Sequence, residues 1–219
     1  MPLGRLVPAF VLLGLILCPQ VSTLTLTYTS TPSMALQAGS DWWHGTITIK
    51  KDGSVNPADA PIIVEGNIYT LTKNVKSDGN GIIILRDNIV VDGAGHTIEG
   101  SNTMFSNGVY LFTRTNITIK NLNIQNFHFG IGLDYSSYNT IANNNVGNNG
   151  VGIYLRYSLH NLIYNNVFVN DVNVVVEGGV NYWSIEKTRG TNIMGGSYIG
   201  GNYWSGFSDT CTDSDGDLI

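Results

Sequence analysis

Two aromatic pairs in this chain have a spacing that suggests ligand binding. Two Asn-Tyr-Trp-Ser segments begin at Asn181 and Asn202, which is about the length of one repeat. Rings that stack one repeat apart can form a platform for the apolar faces of sugars. We therefore predict a glycan-binding surface formed by Tyr182, Trp183, Tyr203 and Trp204, which Tyr110, Tyr135, Tyr154 and Tyr157 extend. The alternative is that these large rings close the C-terminal end of the core.

One acidic and one basic residue have a spacing that suggests a shared face. Asp134 and Arg156 are one repeat apart, so the repeat places them side by side. Enzymes that cleave acidic polysaccharides use paired carboxylates for hydrolysis, or Ca²⁺ with a basic residue for β-elimination. The sequence places no second carboxylate beside Asp134. It therefore assigns no catalytic residues, and a polysaccharide lyase or glycoside hydrolase is an alternative to a binding module.

The C-terminal sequence contains alternating acidic residues. Asp213, Asp215 and Asp217 are similar to the ligands of Asp-x-Asp-x-Asp-Gly calcium loops, which supply hard oxygen donors. If Gly216 is the sixth loop position, Cys211 occupies the first, so the loop pattern is incomplete. We predict a Ca²⁺ site at the three aspartates, with a solvated acidic terminus as the alternative.

Short β-prone segments return at a fixed step and predict the fold. Gly108-Val109-Tyr110-Leu111 recurs at Gly130 and, after an equal step, at Gly152. Two further segments in each repeat begin with asparagine, and the apolar positions between are largely β-branched. We predict a single-stranded parallel β-helix of about five rungs, each a full turn of the chain with about 22 residues. The general rule for parallel crossovers makes it right-handed, and stacked asparagines are expected to form amide ladders.

Composition and the N-terminal residues predict an exported protein. The chain has 219 residues, 26 glycines, 12% charged residues and a net charge of −5, which argues against nucleic acid as a partner. Arg5 precedes an apolar run from Phe10 to Leu17, as in a signal peptide. We predict a signal peptide at 1–23, N-terminal cap strands at 24–68, the β-helix at 69–207 and an acidic tail at 208–219. The expected location is secreted, cell-surface or periplasmic, with a membrane contact only through an uncleaved leader.

Several segments together resemble a known family. They are Asp52-Gly53-Ser54, the segments from Asn67 to Leu71 and from Asp87 to Gly95, and Gly201-Asn202-Tyr203-Trp204-Ser205. The chain resembles the NosD-like, periplasmic copper-binding family of right-handed parallel β-helix proteins over roughly residues 45 to 217. The resemblance implies a pectin lyase-like fold and either a copper-handling accessory role or, as in related repeats, an association with carbohydrate.

The positions of the histidines in the sequence test whether the chain has the ligands for a copper site. Ligands on one face of the β-helix would recur once in each rung or form close local pairs. The four histidines do neither; they are His44, His96, His128 and His160. We therefore favour an exported carbohydrate-binding or structural module, and copper handling is the second alternative.

Overall fold

The chain coils so that each rung contributes one strand to each of three sheets. The computed structural model describes residues 42–206, all of which lie in one compact unit, and this part contains strands and no helix. In chain order the strands are β1 (Trp42–His44), β2 (Ile47–Ile49), β3 (Val55–Asn56), β4 (Ile62–Glu65), β5 (Ile68–Leu71), β6 (Asn74–Lys76), β7 (Ile82–Ile84), β8 (Ile89–Asp92), β9 (Thr97–Glu99), β10 (Asn107–Phe112), β11 (Ile117–Lys120), β12 (Asn123–Gln125), β13 (Phe129–Asp134), β14 (Thr140–Ala142), β15 (Asn145–Gly147), β16 (Val151–Arg156), β17 (Leu162–Tyr164), β18 (Val167–Val169), β19 (Val172–Glu177), β20 (Thr188–Arg189), β21 (Tyr198–Ile199) and β22 (Tyr203–Trp204).

The order of strands within each sheet confirms the predicted parallel β-helix. Sheet A has the order β1-β6-β9-β12-β15-β18-β22, sheet B has β19-β16-β13-β10-β7-β2-β3, and sheet C has β17-β14-β11-β8-β5-β4. Neighbouring strands pair in parallel except in the hairpins β2–β3, β4–β5 and β20–β21. Val109, Ile131 and Ile153 are direct partners on successive rungs, as the repeat predicts. The result is a β-solenoid of about five turns, with about 22 residues per turn.

Branched aliphatic side chains fill the interior of the solenoid. In sheet B, alternate residues point inward, and Leu111, Leu133 and Leu155 are fully buried one above another. Ile119, Ile141 and Ile163 form the equivalent column in sheet C, as do Ile124, Val146 and Phe168 in sheet A. Burial of stacked β-branched and apolar residues is the main stabilising contribution expected for such a repeat.

Buried asparagines join the rungs at the turns, as predicted. The Asn144 Nδ2 donates to Asn166 Oδ1 at 3.0 Å, and Asn166 Nδ2 donates to Asn202 Oδ1 at 2.9 Å. A second ladder runs through Asn139, Asn161 and Asn181. These amides also bond backbone groups that the turns leave unpaired, and none of the buried side-chain nitrogen and oxygen atoms between residues 42 and 206 lacks a partner.

Close packing explains the glycine that begins each repeated segment of sheet B. A Cβ atom on Gly130 would lie 2.5 Å from Val146 Cγ1 and 2.6 Å from the carbonyl oxygen of Gly152. Both distances are shorter than contact, so a larger residue would force the rungs apart. The recurring glycine is therefore a packing requirement of the corner between sheets A and B.

The last rung carries an insertion. Tyr182 bridges to Leu162 of sheet C, and Tyr203 pairs with Val167 of sheet A. The residues between them leave the solenoid and form the short hairpin β20–β21 before the chain returns. Within the part of the chain that the structure describes, no helix is long and apolar enough to span a membrane.

Candidate functional site

The aromatic pairs singled out in the sequence lie in one rung. Tyr182 and Tyr203 belong to adjacent sheets of the last rung, so the prediction that the pairs stack one repeat apart is wrong. The prediction failed because the insertion between Tyr182 and Tyr203 is about as long as one rung. The Trp183 and Trp204 rings pack against the core with centroids 5.6 Å apart, and Trp204 stacks on Phe168 at 4.6 Å. The tryptophans thus cover the C-terminal end of the core, and ligand binding by Tyr182, Trp183, Tyr203 and Trp204 stays a prediction.

Metal ligands do not converge in residues 42–206. This part of the chain contains no group of three His, Cys, Asp or Glu side chains that could hold a metal ion. The His128 Nδ1 accepts a hydrogen bond from the backbone N–H of Phe105 at 3.0 Å, and His160 stacks with Tyr138 at 5.1 Å. The predicted calcium ligands Asp213, Asp215 and Asp217 lie outside the described residues.

A pocket on the outer face of sheet B brings charged, polar and aromatic side chains together. It encloses about 420 Å³. We call it the Gly132 pocket and define it by Asn107, Tyr110, Phe129, Gly132, Asp134, Tyr154 and Arg156. These residues come from β10, β13 and β16, three consecutive strands of the most regular part of the solenoid. The pocket therefore rests on rigid structure.

A glycine between two tyrosines creates the floor of the pocket. Tyr110, Gly132 and Tyr154 are partners on successive strands and point outward, so the missing side chain at Gly132 leaves a gap. The Asn107 side chain occupies part of this gap, because a Cβ atom on Gly132 would lie 2.1 Å from Asn107 Oδ1. Asn107 Nδ2 donates to Asn80 Oδ1 and to the carbonyl oxygen of Phe105. No hydrogen bond formed within residues 42–206 ends on Asn107 Oδ1, which leaves an acceptor at the floor.

An ion pair forms one wall of the pocket, as the repeat predicts. Arg156 Nε donates to Asp134 Oδ1 at 2.8 Å, and Arg156 Nη2 contacts the other carboxylate oxygen. Asp134 is 5% exposed, whereas the side chain of Arg156 is 42% exposed. Hydrogen bonding to Asp134 raises the pKa of Arg156. The guanidinium is therefore held in a fixed orientation with donors still open to solvent.

The two tyrosines of the pocket are neutral hydroxyl groups at physiological pH. Burial, followed by the charge of Asp134, raises the pKa of Tyr110. Burial and a hydrogen bond to Glu177 raise the pKa of Tyr154. A neutral phenol oxygen can still accept a hydrogen bond after it donates one, so these side chains can accept from the hydroxyl groups of a ligand.

Aromatic rings flank the pocket on both sides. Phe129 stacks on Tyr154 with centroids 4.8 Å apart and an interplanar angle of 22°. On the side of the ion pair, Tyr135 stacks on Tyr157 at 5.2 Å, and both rings are more than half exposed. The four tyrosines that the sequence analysis offered as an extension thus lie in or beside the Gly132 pocket, and not beside Tyr203 in sheet A.

Sequence reasoning missed three of the pocket residues. Phe129, Asn107 and Gly132 were not singled out, although the repeat aligns Tyr110, Gly132 and Tyr154 in one column. A glycine between two large residues of an outward-facing column is a signal for a recess. The contribution of Asn107 has no such signal, because it depends on how its side chain folds over the next strand.

The pocket has the chemistry of a binding site for a polyhydroxylated ligand. It combines neutral and charged donors, an open acceptor and large apolar ring faces in a concave surface. Its one carboxylate, that of Asp134, is fully engaged by Arg156 and is not positioned as a free general base.

Comparison with known proteins identifies the family of the chain. Searches of curated proteins and of solved structures found no match. The family model described as periplasmic copper-binding protein (NosD) matches residues 35–209, which include nearly all of the solenoid. This match covers well over half of the 219 residues and agrees with the parallel β-solenoid described above. The chain therefore belongs to the NosD family of periplasmic proteins.

Proposed function

We propose that this protein is a periplasmic β-solenoid that binds carbohydrate in the Gly132 pocket. The observation that carries the proposal is the combination, in one recess, of exposed aromatic faces with an oriented ion pair. Neither feature alone is specific for sugars. Together they match the two surfaces that a pyranose presents, an apolar C–H face and a rim of hydroxyls.

The positions of the side chains fit this mode of binding. A sugar ring in the gap above Gly132 lies between Tyr110 and Tyr154, with Phe129 stacked behind Tyr154. The open donors of Arg156 and the Oδ1 of Asn107 are then available to its hydroxyls. Because the ion pair and the stacked rings are fixed before binding, little side-chain entropy is lost on association.

The size and charge of the pocket limit the class of carbohydrate that it can bind. A volume of about 420 Å³ suits a mono- or disaccharide unit. The charge of Asp134 offsets that of Arg156, and Glu177 is the next residue of the same column. The pocket thus has no excess positive charge, and neutral sugars are favoured over uronic acids.

Copper handling, the role in the family description, has less support in the described part of the chain. Between residues 42 and 206 no set of three His, Cys, Asp or Glu side chains converges. His128 and His160 both lie in ring stacks. This part of the chain therefore offers copper no group of three such ligands, and we assign no step to the metal.

A polysaccharide array tests the proposal. The full chain is applied to the array, with reducing-end and unsaturated-product assays on the same wells. Tyr154→Val removes the central ring but copies Val175, which occupies the same column one rung later. Tyr164→Ala, on the outer face of sheet C, copies Ala142 in the same way and is the control.

The expected result is glycan binding without product, a loss of about tenfold or more in affinity for Tyr154→Val, and unchanged binding for Tyr164→Ala. Product formation would show an enzyme and overturn the proposal. If Tyr154→Val binds as tightly as the parent chain, the Gly132 pocket is not the binding site. If the parent chain binds no glycan on the array, carbohydrate is not its ligand.

A further inference from the structure

We infer a second binding site, for a linear and uncharged polysaccharide, in a groove beside the turn from sheet C to sheet A. The groove has a volume of about 670 Å³. Two columns of asparagines line it, and we call it the amide groove. Asn121, Asn143 and Asn165 form the turn column, and Asn123 and Asn145 form the strand column. The groove shares no lining residue with the Gly132 pocket, and the inference does not rest on that pocket.

The backbone holds the turn column in a fixed orientation. Asn121, Asn143 and Asn165 have φ values of 57°, 58° and 52°, the left-handed region that asparagine tolerates better than most residues. Asn123 and Asn145 are direct partners on β12 and β15. The columns are therefore regular, with a repeat of about 4.8 Å along the solenoid axis.

The amides of the groove have unused hydrogen-bonding capacity. Asn143 Oδ1 accepts from Asn165 Nδ2, but no acceptor among the described residues pairs with Asn143 Nδ2. Asn123 Nδ2 donates to the carbonyl oxygen of Gly95 at 2.7 Å, which leaves its Oδ1 open. The side chain of Asn145 makes no hydrogen bond within residues 42–206. The exposed side chains of Asn143 and Asn145 thus offer open donors and acceptors to a ligand, and Asn123 adds an open acceptor.

The insertion of the last rung closes one end of the groove. The backbone N–H of Ile193 donates to Asn165 Oδ1 at 2.9 Å, so the third asparagine of the turn column anchors the inserted segment. Asn192 braces this segment, because its Oδ1 accepts from the N–H groups of Met194 and Gly196. Ile193 and Met194 then form an apolar wall at the end of the amide columns. A ligand is therefore bounded at this end and free to extend toward Gly95.

The repeat distance favours a polysaccharide over a peptide. An extended peptide presents equivalent groups every two residues, or about 6.7 Å, which does not match amide columns about 4.8 Å apart. One pyranose unit of an extended polysaccharide has nearly the length of one rung. Because both edges of a pyranose carry hydroxyl or ring-oxygen groups, successive sugars can meet successive asparagines even where neighbouring rings are flipped. An apolar wall beside amides suits the mixed surface of such a chain.

The groove also favours an uncharged ligand. No carboxylate of residues 42–206 lines the groove, and Asp92, beside it, accepts from Asn121 Nδ2 at 2.9 Å and pairs with Lys120 Nζ at 3.1 Å. Both charges are therefore already partnered. Since amides bind hydroxyl and acetamido groups without a charge on the ligand, the predicted class is a neutral polymer of hexose, pentose or N-acetylhexosamine units.

NMR titration of the full ¹⁵N-labelled chain tests the inference. The probes are cellohexaose, xylohexaose, mannohexaose and chitohexaose. The signals are the side-chain amides of Asn143 and Asn145 in the parent chain, and the backbone amides of Asn123 and Ile193, which also line the groove, in the parent and in every variant. The double variant Asn143→Gly/Asn145→Val removes both amides conservatively, because glycine accepts the left-handed turn and Val167 already occupies the strand column on the next rung. Asn148→Gly is the control, since Asn148 is also left-handed, at φ 56°, but lies in the turn from sheet A to sheet B.

We expect at least one probe to shift both amide signals saturably. We also expect the double variant to weaken binding at the groove, read from the backbone signals of Asn123 and Ile193, about tenfold or more. Asn148→Gly leaves this affinity unchanged, as does Tyr154→Val, which alters only the Gly132 pocket. Absence of shifts with all four probes would overturn the inference, as would parent-like affinity of the double variant. Loss of binding in Tyr154→Val alone would assign the oligosaccharide to the Gly132 pocket and also overturn it.

Discussion

Asn143 and Asn144 are neighbours in the chain, yet one faces solvent and the other faces the core. Asn144 is fully buried, and its Nδ2 lies within hydrogen-bond distance of Ile119 O, Ala142 O and Asn166 Oδ1. Asn143 is exposed and keeps its Nδ2 free of any partner in the described part of the chain. The same residue type, repeated once per rung, therefore serves the fold in one column and is available to a ligand in the next.

The backbone conformation separates the two roles. Asn143 has a φ of 58°, and this left-handed residue turns the chain so that the following side chain points inward. In the core, an unpaired amide costs free energy, so every inward asparagine must be satisfied. Outside, water can satisfy an unpaired amide until a ligand replaces it. The inward columns are therefore expected to determine stability, and the outward columns binding.

The largest effect on stability is expected from a charge in the core. Ile163 is fully buried in sheet C, directly beside Ile141. Ile163→Asp places an unpaired carboxylate there and should cost more than about 4 kcal/mol of unfolding free energy, or prevent folding. Urea denaturation followed by circular dichroism measures this. A midpoint close to that of the parent would contradict the assignment of Ile163 to the core.

The next largest effect separates the two asparagines directly. Asn144→Ala leaves the buried N–H of Leu122 and the carbonyl oxygen of Ile119 without their partner, and should cost about 3 kcal/mol. Asn143→Gly removes an exposed amide at a left-handed position but also the partner of Asn165 Nδ2, and should cost only about 1 kcal/mol. The same urea titration measures both. Equal losses for the two variants would break the comparison between inward and outward columns.

The smallest effect is expected at an ion pair on the outer surface. Lys76 Nζ lies 2.8 Å from Glu99 Oε1, and this hydrogen bond, with a weaker one from Gln125, lowers the pKa of Glu99 from its ordinary 4.5. Lys76→Met should cost about 0.2–1 kcal/mol at pH 7.

The pH dependence of that variant has a definite sign. A lowered carboxyl pKa stabilises the folded state above pH 4.5, and this contribution is lost as the pH falls through the folded pKa and Glu99 becomes protonated. The difference between parent and Lys76→Met should therefore shrink as the pH falls below 4.5 and vanish once Glu99 is protonated in the folded state. A difference that is as large at pH 3 as at pH 7 would show that Lys76 acts through packing and not through its charge.

The regular part of the fold could be predicted because the length of the repeat determines which residues are neighbours on successive rungs. Once Gly108, Gly130 and Gly152 set the length of the repeat, Asp134 and Arg156 had to be neighbours, and they form the ion pair of the Gly132 pocket. Sequence spacing predicts these neighbours correctly because a rung without insertions can pair with the next rung in only one register.

The last rung could not be predicted from the same rule. Asn181 continues the ladder of Asn161, and Asn202 continues that of Asn166, so the two similar segments belong to two turns of one rung. Each ladder requires an asparagine followed by an apolar strand. Segments at different turns of the same rung therefore have similar sequences. Because the insertion between them is about as long as a rung, the spacing of the two segments in the sequence looks like that of two successive rungs. Only the strand pairing in the structure shows that they belong to the same rung.

The most direct test of binding by an outward face is an NMR titration with the glycan that binds best on the array. The signals to follow are Arg156 Nε–H and the side-chain amide of Asn107, with the buried amides of Asn144 and Asn166 as internal controls. We predict saturable shifts of Arg156 and Asn107 while both controls stay unmoved. Saturable binding that leaves Arg156 and Asn107 unmoved would contradict the assignment of the Gly132 pocket as the carbohydrate site.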